Sequence, residues 1–180
     1  INQVLKQPER LVGIHFFNPV AMMQLVEVVS GKITSEAITG KAIAFVKQIK
    51  KLPLPVKSSP GFLVNRVLMP YLMESFLLMD EGVSKEAIDC AAKDFGMPMG
   101  PIELADAVGL DVGLSVANEL IKHFGGDVPQ CLKQKVEQGQ LGKKTGEGFY
   151  AYKKGKLVRS KKKVNYSQDI QDRLIARMVD

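Results

Sequence analysis

The pattern of apolar residues changes at Ser58, and this change limits the folds that the chain can adopt. Before Ser58, residues 11–16 and 24–29 are apolar runs of strand length, each followed by turn-forming residues. After Ser58, apolar residues recur at helical spacing over segments too long to be strands. We therefore predict a mainly α protein with a small α/β part, in which the end of an α/β sheet precedes an all-helical domain.

The first part also predicts one helix and a third strand. Thr34 or Ser35 can accept a hydrogen bond from the first helical turn, and so caps a predicted helix that extends through Lys51. The extended piece 54–57 follows Pro53 and contains Pro55, and proline is tolerated in an edge strand. The order strand, strand, helix, strand is typical of the end of an α/β sheet.

A long apolar segment opens the second part. Ser59-Pro60 predicts a helix start with Pro60 at the first helical position, and Gly82 predicts its end. Apolar residues lie on nearly every side of this helix, so we expect it to be buried in a core or in a subunit interface.

Glycine and proline divide the remainder into shorter elements. The predicted elements are helices at 84–96, from 101, from about 111 to 125 and at 128–138, a hairpin at 148–158, and a helix at 167–179. We place the domain boundary near 57–60. The predicted parts are an α/β part at 1–58, a helical domain at 59–152, and a basic linker with the start of a further helix at 153–180.

Composition favours a soluble globular protein, since 46% of the 180 residues are apolar and 24% are charged. No apolar run approaches ~18 residues, so we expect no membrane span. Cys90 and Cys131 lack metal or redox spacing and are expected to be buried thiols of a reducing compartment. We expect no metal site. The chain begins at Ile1 without a signal-peptide pattern, and we expect a fragment of a longer protein.

The basic character of the chain is concentrated in one segment. The net charge is +6, and between Lys143 and Lys163 nine basic residues stand with one acidic residue. Binding of nucleic acid would require basic residues interleaved with aromatic ones on a folded face. We interpret the segment as a solvated hairpin or linker and expect no nucleic-acid partner.

The chain contains two histidines, and His15 is the better candidate for chemistry because it closes an apolar strand. Glu27 is the one charged residue of the second strand. If these strands pair antiparallel about position 21, His15 and Glu27 face each other. The carboxylate would then hold one ring nitrogen and leave the other as a general base. The alternative is a buried structural ion pair. His123, late in a helix, is interpreted as structural.

Two asparagines and one glycine-rich loop complete the candidates. Asn18 follows the first strand, where a turn role is the default, and Asn65 lies in the apolar helix, where a buried amide needs partners. The loop 142–148 contains Gly-Lys-Lys-Thr but does not match the phosphate-loop spacing.

Five stretches resemble those of the 3-hydroxyacyl-CoA dehydrogenase family, in the family's order and with similar spacing. They are Leu-Val-Gly-Ile-His-Phe-Phe-Asn-Pro-Val (11–20), Leu-Val-Glu-Val-Val (25–29), Ser-Pro-Gly-Phe-Leu-Val-Asn-Arg (59–66), Met-Pro-Met-Gly-Pro (97–101) and Gly-Lys-Lys-Thr-Gly-Glu-Gly-Phe-Tyr (142–150). The resemblance implies that residues 1–58 are the truncated C-terminal end of a Rossmann-type NAD-binding domain. It implies that residues 59–152 are a helical substrate and dimerisation domain, like the C-terminal domain of that family and of 6-phosphogluconate dehydrogenase. Residues 153–180 are then a basic linker and the start of a second helical domain. The resemblance also implies NAD-dependent oxidation of L-3-hydroxyacyl-CoA to 3-ketoacyl-CoA in fatty-acid β-oxidation.

The same resemblance implies a role for each candidate residue. His15 matches the catalytic base and Glu27 the carboxylate paired with it. Asn65 matches a substrate-binding amide. Asn18 and Lys144 match residues that contact NAD.

The chain departs from the family in what it lacks. G-x-G-x-x-G is absent, and we expect the family's Gly-rich nucleotide loop, its ribose-binding acid and a serine of its site to lie upstream of Ile1. We therefore expect these 180 residues alone to bind NAD poorly and to turn over no substrate. The segment 168–178 is similar to the start of a second helical domain in multifunctional β-oxidation enzymes, which suggests a parent of that kind.

Several alternatives remain open. One is a non-catalytic dimerisation or acyl-CoA-binding module, and another is a related β-hydroxyacid dehydrogenase. Expected partners are acyl-CoA and either a second copy or a complex that contains a thiolase. The segment 153–163 could also contact the phosphates of CoA. We expect a bacterial cytoplasm, with a mitochondrial matrix as the alternative.

Overall fold

The computed structural model describes residues 2–158 and 164–179, which belong to two compact units, Ile1–Val64 and Asn65–Asp180. Residues 159–163, in the predicted basic linker, lie outside the described part. The predicted domain boundaries remain a prediction.

The first unit is a three-stranded sheet with one helix. Two 3-10 helices, Asn2–Val4 and Pro8–Arg10, precede the sheet. The other elements are β1 (Val12–Phe16), β2 (Leu25–Ser30), α1 (Glu36–Gln48) and β3 (Leu52–Lys57). Strand β2 is central, antiparallel to β1 and parallel to β3, which is an edge strand as predicted.

The register of β1 and β2 confirms the pairing predicted about position 21. His15 lies opposite Glu27, and Ile14 lies opposite Val28. The core of this unit is formed by Val26 and Val28 from β2 with Ala42 and Val46 from α1. Register is fixed where one face is buried, because a one-residue slip would turn the buried side chains of a strand to the other face.

Helix α1 begins after Ser35, which caps it, but the predicted end at Lys51 is wrong. Lys50 adopts φ +59, and the N–H of Lys51 donates to the carbonyl of Val46. This left-handed residue and hydrogen bond end the helix. Phe45 and Ile49 of this segment are exposed, whereas Ala42 and Val46 are buried.

The second unit is helical with a small hairpin. Its elements are α2 (Val64–Asp80), α3 (Lys85–Phe95), α4 (Pro101–Val108), α5 (Leu110–Phe124), α6 (Gln130–Glu137), a 3-10 helix (Lys143–Thr145), β4 (Tyr152–Lys153), β5 (Lys156–Leu157) and α7 (Gln168–Val179). Within the described part of the chain, no helix has the length and apolarity needed to cross a membrane.

The start of α2 differs from the prediction, which placed Pro60 at the first helical position. Gly61 and Phe62 have φ +74 and +51, so residues 59–62 form a turn. Helix α2 is also not buried on all sides. Its exposed positions include Arg66, Pro70 and Leu77, which share one face at helical spacing.

Most of the other helices begin and end close to the predicted capping, glycine and proline residues. Ser84 caps α3, and Gly96 ends it with φ +119. Helix α4 begins at Pro101, α5 ends before Gly125, and the predicted hairpin and last helix are present. Helix α6 is shorter than predicted, since it begins after Pro129.

Helix α7 packs into the second unit and carries two of its buried apolar side chains, Ile170 and Leu174. Glu74 of α2 is 4% exposed and accepts hydrogen bonds from Arg173 at 2.6 Å and from Arg177 at 3.0 Å. A buried carboxylate without such partners would be strongly destabilising. These ion pairs therefore fasten α7 to α2.

The glycine-rich loop is anchored by a buried carboxylate rather than built as a phosphate loop. Asp106 of α4 is fully buried and accepts hydrogen bonds from the N–H groups of Phe149 and Tyr150, at 2.9 and 2.8 Å. A Cβ at Gly148 would overlap this carboxylate. Glycine is thus required at 148 by close packing.

We predict that Gly148→Ala lowers the free energy of unfolding by about 1–3 kcal/mol, because the methyl group displaces Asp106 from its donors. Gly113→Ala is the matched control, since a Cβ there meets no atom within 4 Å. In the interior of α5 it should raise stability by about 0.5–1 kcal/mol. Urea unfolding of both variants measures the difference, and equal stability of the two would contradict the packing argument.

A second prediction concerns Cys131, whose thiol donates to the carbonyl of Phe76. Burial, followed by the neighbouring Asp80, raises the pKa of Cys131 to about 12. In a Cys90→Ser variant we expect an aromatic disulfide reagent at pH 8 to react roughly 10³-fold more slowly with the folded than with the unfolded chain, since the thiolate is the nucleophile. A ratio below about tenfold would show that the thiol is accessible and ionised.

Candidate functional site

His15 and Glu27 form a hydrogen-bonded pair across β1 and β2. The Nδ1 atom of His15 lies 2.7 Å from Oε2 of Glu27. The two side chains differ in access to solvent, since that of Glu27 is 0% exposed and that of His15 is 33% exposed. The carboxylate is therefore buried in the central strand, while the imidazole lies at the surface of this unit.

The second oxygen of Glu27 is held by the backbone. Oε1 accepts hydrogen bonds from the N–H groups of Leu63 and Val64, both at 2.9 Å. Three donors thus surround one buried carboxylate. Hydrogen bonds of this charge-assisted kind compensate the loss of water around a buried charge.

Two aromatic rings flank the imidazole of His15. The ring of Phe17 lies 4.8 Å from it and that of Phe62 5.5 Å, measured between centroids. The helix predicted from Pro60 gives no indication that Phe62 lies beside His15. Gly61 directly after Pro60 was the available signal, since Pro-Gly marks a turn.

The arrangement suits proton transfer at one atom. Nδ1 of His15 is engaged by Glu27, so Nε2 is the nitrogen that can accept a proton from a ligand. A carboxylate at Nδ1 fixes the orientation of the ring and stabilises the imidazolium that forms. The side chain of His15 is partly exposed, so a ligand can contact the ring.

The two asparagines lie in different units. Asn18 is exposed in the segment that follows β1, and its peptide bond to Pro19 is cis. Asn65 is half-buried at the second residue of α2, in the helical unit.

Lys144 is engaged within the helical unit. Its ammonium group lies 2.5 Å from Oδ1 of Asp111, near the start of α5. The hydrogen bond from Lys144 lowers the pKa of Asp111 below its ordinary value. Both side chains are exposed, so the pair can open at little cost. His123 is also exposed and lies 3.8 Å from Glu119 one turn earlier in α5.

Comparison with known families assigns both units. Residues 1–59 match the model of the 3-hydroxyacyl-CoA dehydrogenase NAD binding domain. Residues 61–152 match the model of the 3-hydroxyacyl-CoA dehydrogenase C-terminal domain. These matches confirm the predicted resemblance and the predicted NAD-binding domain.

Individual relatives agree with the family models. A 3-hydroxybutyryl-CoA dehydrogenase of Clostridioides difficile is 46% identical over 154 residues, 83% of this chain and 55% of that protein. A fatty acid oxidation complex subunit alpha of Psychrobacter is 42% identical over 163 residues, 88% of this chain and 23% of that protein. The crystal structure of an (S)-3-hydroxybutyryl-CoA dehydrogenase of Ralstonia eutropha has a TM-score of 0.79 and 41% identity, covering 85% of this chain and 56% of that one.

The chain thus spans about half the length, or less, of these relatives. The family models nevertheless cover nearly all of residues 1–152, and the C-terminal domain model alone matches half of the chain. The chain belongs to the 3-hydroxyacyl-CoA dehydrogenase family.

Proposed function

We propose that this chain supplies the proton-transfer residues and the helical domain of an L-3-hydroxyacyl-CoA dehydrogenase. The observation that carries the proposal is the His15–Glu27 pair, in which Nδ1 is bound and Nε2 is free of the carboxylate. Oxidation of a hydroxyl group requires removal of its proton, and Nε2 is the ring nitrogen left for that step. In this chain, membership of the family favours a 3-hydroxyacyl-CoA substrate.

The work of each residue follows from the geometry. Nε2 of His15 takes the hydroxyl proton, and Glu27 stabilises the resulting imidazolium through Nδ1. NAD, when bound, supplies the acceptor for the hydride that leaves C3 of the substrate. The backbone N–H groups of Leu63 and Val64 hold the buried carboxylate in place beside the ring.

The chain fits NAD in part. Residues 1–59 match the NAD-binding domain model, whereas the sequence contains no G-x-G-x-x-G loop to hold a pyrophosphate at a helix N-terminus. We infer that catalysis needs such a loop together with these residues, and that the 180 residues alone are inactive.

Three further residues are proposed as contacts. Asn65, an amide in the first turn of α2, would bind the substrate carbonyl or hydroxyl group. Asn18 would lie near the nicotinamide end of NAD, and its exposure after β1 supports this role. Lys144 would contact the cofactor only after it leaves Asp111.

We also propose the finer fold and assembly features. The helical unit would share the architecture of the 6-phosphogluconate dehydrogenase C-terminal domain. The chain would be part of a multifunctional protein in a bacterial cytoplasm. That protein would form a homodimer or a complex that contains a thiolase. Similarity to the subunit of a fatty acid oxidation complex supports this assembly. A groove of about 650 Å³ between α2 and α5, lined in part by Met73, Leu120 and Phe124, supports a contact surface on the helical unit.

We predict that His15→Gln lowers kcat for 3-hydroxybutyryl-CoA oxidation by roughly 10²–10⁴, the usual contribution of a positioned general base. Glu27→Gln should also lower kcat, since it removes the charge that stabilises the imidazolium. Turnover is measured by NADH absorbance in a longer protein, in which these 180 residues are joined to a Gly-rich nucleotide-binding segment. This longer protein is called the assay protein below.

His123→Gln is the matched control, because it removes the other histidine of the chain from an exposed position in α5. It should leave kcat unchanged. Unchanged turnover in His15→Gln would identify the His15–Glu27 pair as a structural ion pair and overturn the proposal.

Another prediction concerns the 180 residues by themselves. We expect no NAD-dependent turnover of 3-hydroxybutyryl-CoA and no saturable NAD binding by calorimetry at micromolar concentrations. The assay protein, measured in parallel, is the positive control. Turnover by the isolated 180 residues would contradict the inferred need for a separate nucleotide loop.

A further inference from the structure

We propose that the segment 61–64 (hereafter the turn), which comprises the end of the turn before α2 and the first residue of that helix, is a positioning element for the His15–Glu27 pair. The inference rests on the proposed function and adds to it the residues that hold the pair in its working geometry. The turn contacts both members of the pair, Glu27 through backbone N–H groups and His15 through the ring of Phe62.

The turn determines which oxygen of Glu27 faces the imidazole. Oε1 accepts both backbone N–H groups, of Leu63 and Val64, and Oε2 is left for Nδ1 of His15. A carboxylate torsion is broad in the absence of such contacts. Two donors on one oxygen therefore fix the carboxylate plane and, through it, the orientation of the imidazole.

The backbone of the turn supports a functional role. Phe62 adopts φ +51 and follows Gly61 at φ +74, so two consecutive residues are left-handed. A bulky residue rarely adopts positive φ, and strain of this kind persists where surrounding contacts enforce it. Here the strained residue is the one whose ring lies 5.5 Å from His15 and whose following amides hold Glu27.

The test distinguishes a specific role of the turn from a general effect of a side chain at a left-handed backbone position. Gly61→Ala places a Cβ at positive φ and should distort the turn, whereas Gly61→Asn should retain it, because asparagine tolerates left-handed backbone. Gly82→Ala is the matched control, since Gly82 has φ +94 and a Cβ there meets no atom within 4 Å. In the assay protein we expect Gly61→Ala to lower kcat about 10- to 100-fold with little change in KM. Gly61→Asn and Gly82→Ala should stay near wild type.

A spectroscopic readout reports the geometry directly. The 180 residues contain two histidines, so ¹⁵N-histidine labelling gives His15 with His123 as an internal reference. We expect the neutral ring of His15 to carry its hydrogen on Nδ1 in the wild type and in Gly61→Asn. In Gly61→Ala the two tautomers should mix, while His123 should not change.

Amide hydrogen exchange provides a measurement that does not depend on the folding of a turn variant. The N–H groups of Leu63 and Val64 should be protected in the wild type and should lose protection in Glu27→Ala.

Unprotected amides in the wild type, or a Gly61→Ala variant that matches Gly82→Ala in kcat and in the His15 spectrum, would overturn the inference. If His15→Gln is also fully active, the proposed function fails as well. If His15→Gln is inactive, the turn inference alone fails.

Discussion

The burial of one carboxylate sets the requirements for the first unit. Glu27 is fully buried in the central strand, and a buried charge is tolerated only with well-placed donors. The imidazole of His15 supplies one donor, and the N–H groups of Leu63 and Val64 supply two. The strand register, the turn before α2 and the orientation of His15 are all consistent with this single need.

The helical unit uses the same principle for structural purposes. Asp106 is fully buried and holds the glycine-rich loop, while Glu74 is nearly buried and holds α7 through Arg173 and Arg177. The hydrogen-bond donors of these two carboxylates lie within the same unit. Glu27 differs because its partner is a titratable ring with a second nitrogen and access to solvent. That difference separates a candidate site from a structural anchor.

Sequence reasoning could predict what depends on local spacing. The pairing of His15 with Glu27 follows from symmetry about position 21 in an antiparallel pair, and the helix ends at Ser84 and Gly96 follow from cap chemistry. It could not predict the left-handed Phe62, because a bulky residue has no local preference for that conformation. The ion pair of Glu74 with Arg173, 99 residues apart, has no local signal either.

The central claim is that His15 and Glu27 act as one unit in proton transfer. A double-mutant cycle in the assay protein, with His15→Gln, Glu27→Gln and both together, tests it most directly. If the residues act as a unit, the double variant should be no slower than His15→Gln alone, because the carboxylate has no role without the ring. Losses in kcat that multiply in the double variant would show that the two side chains act independently, and would contradict the account.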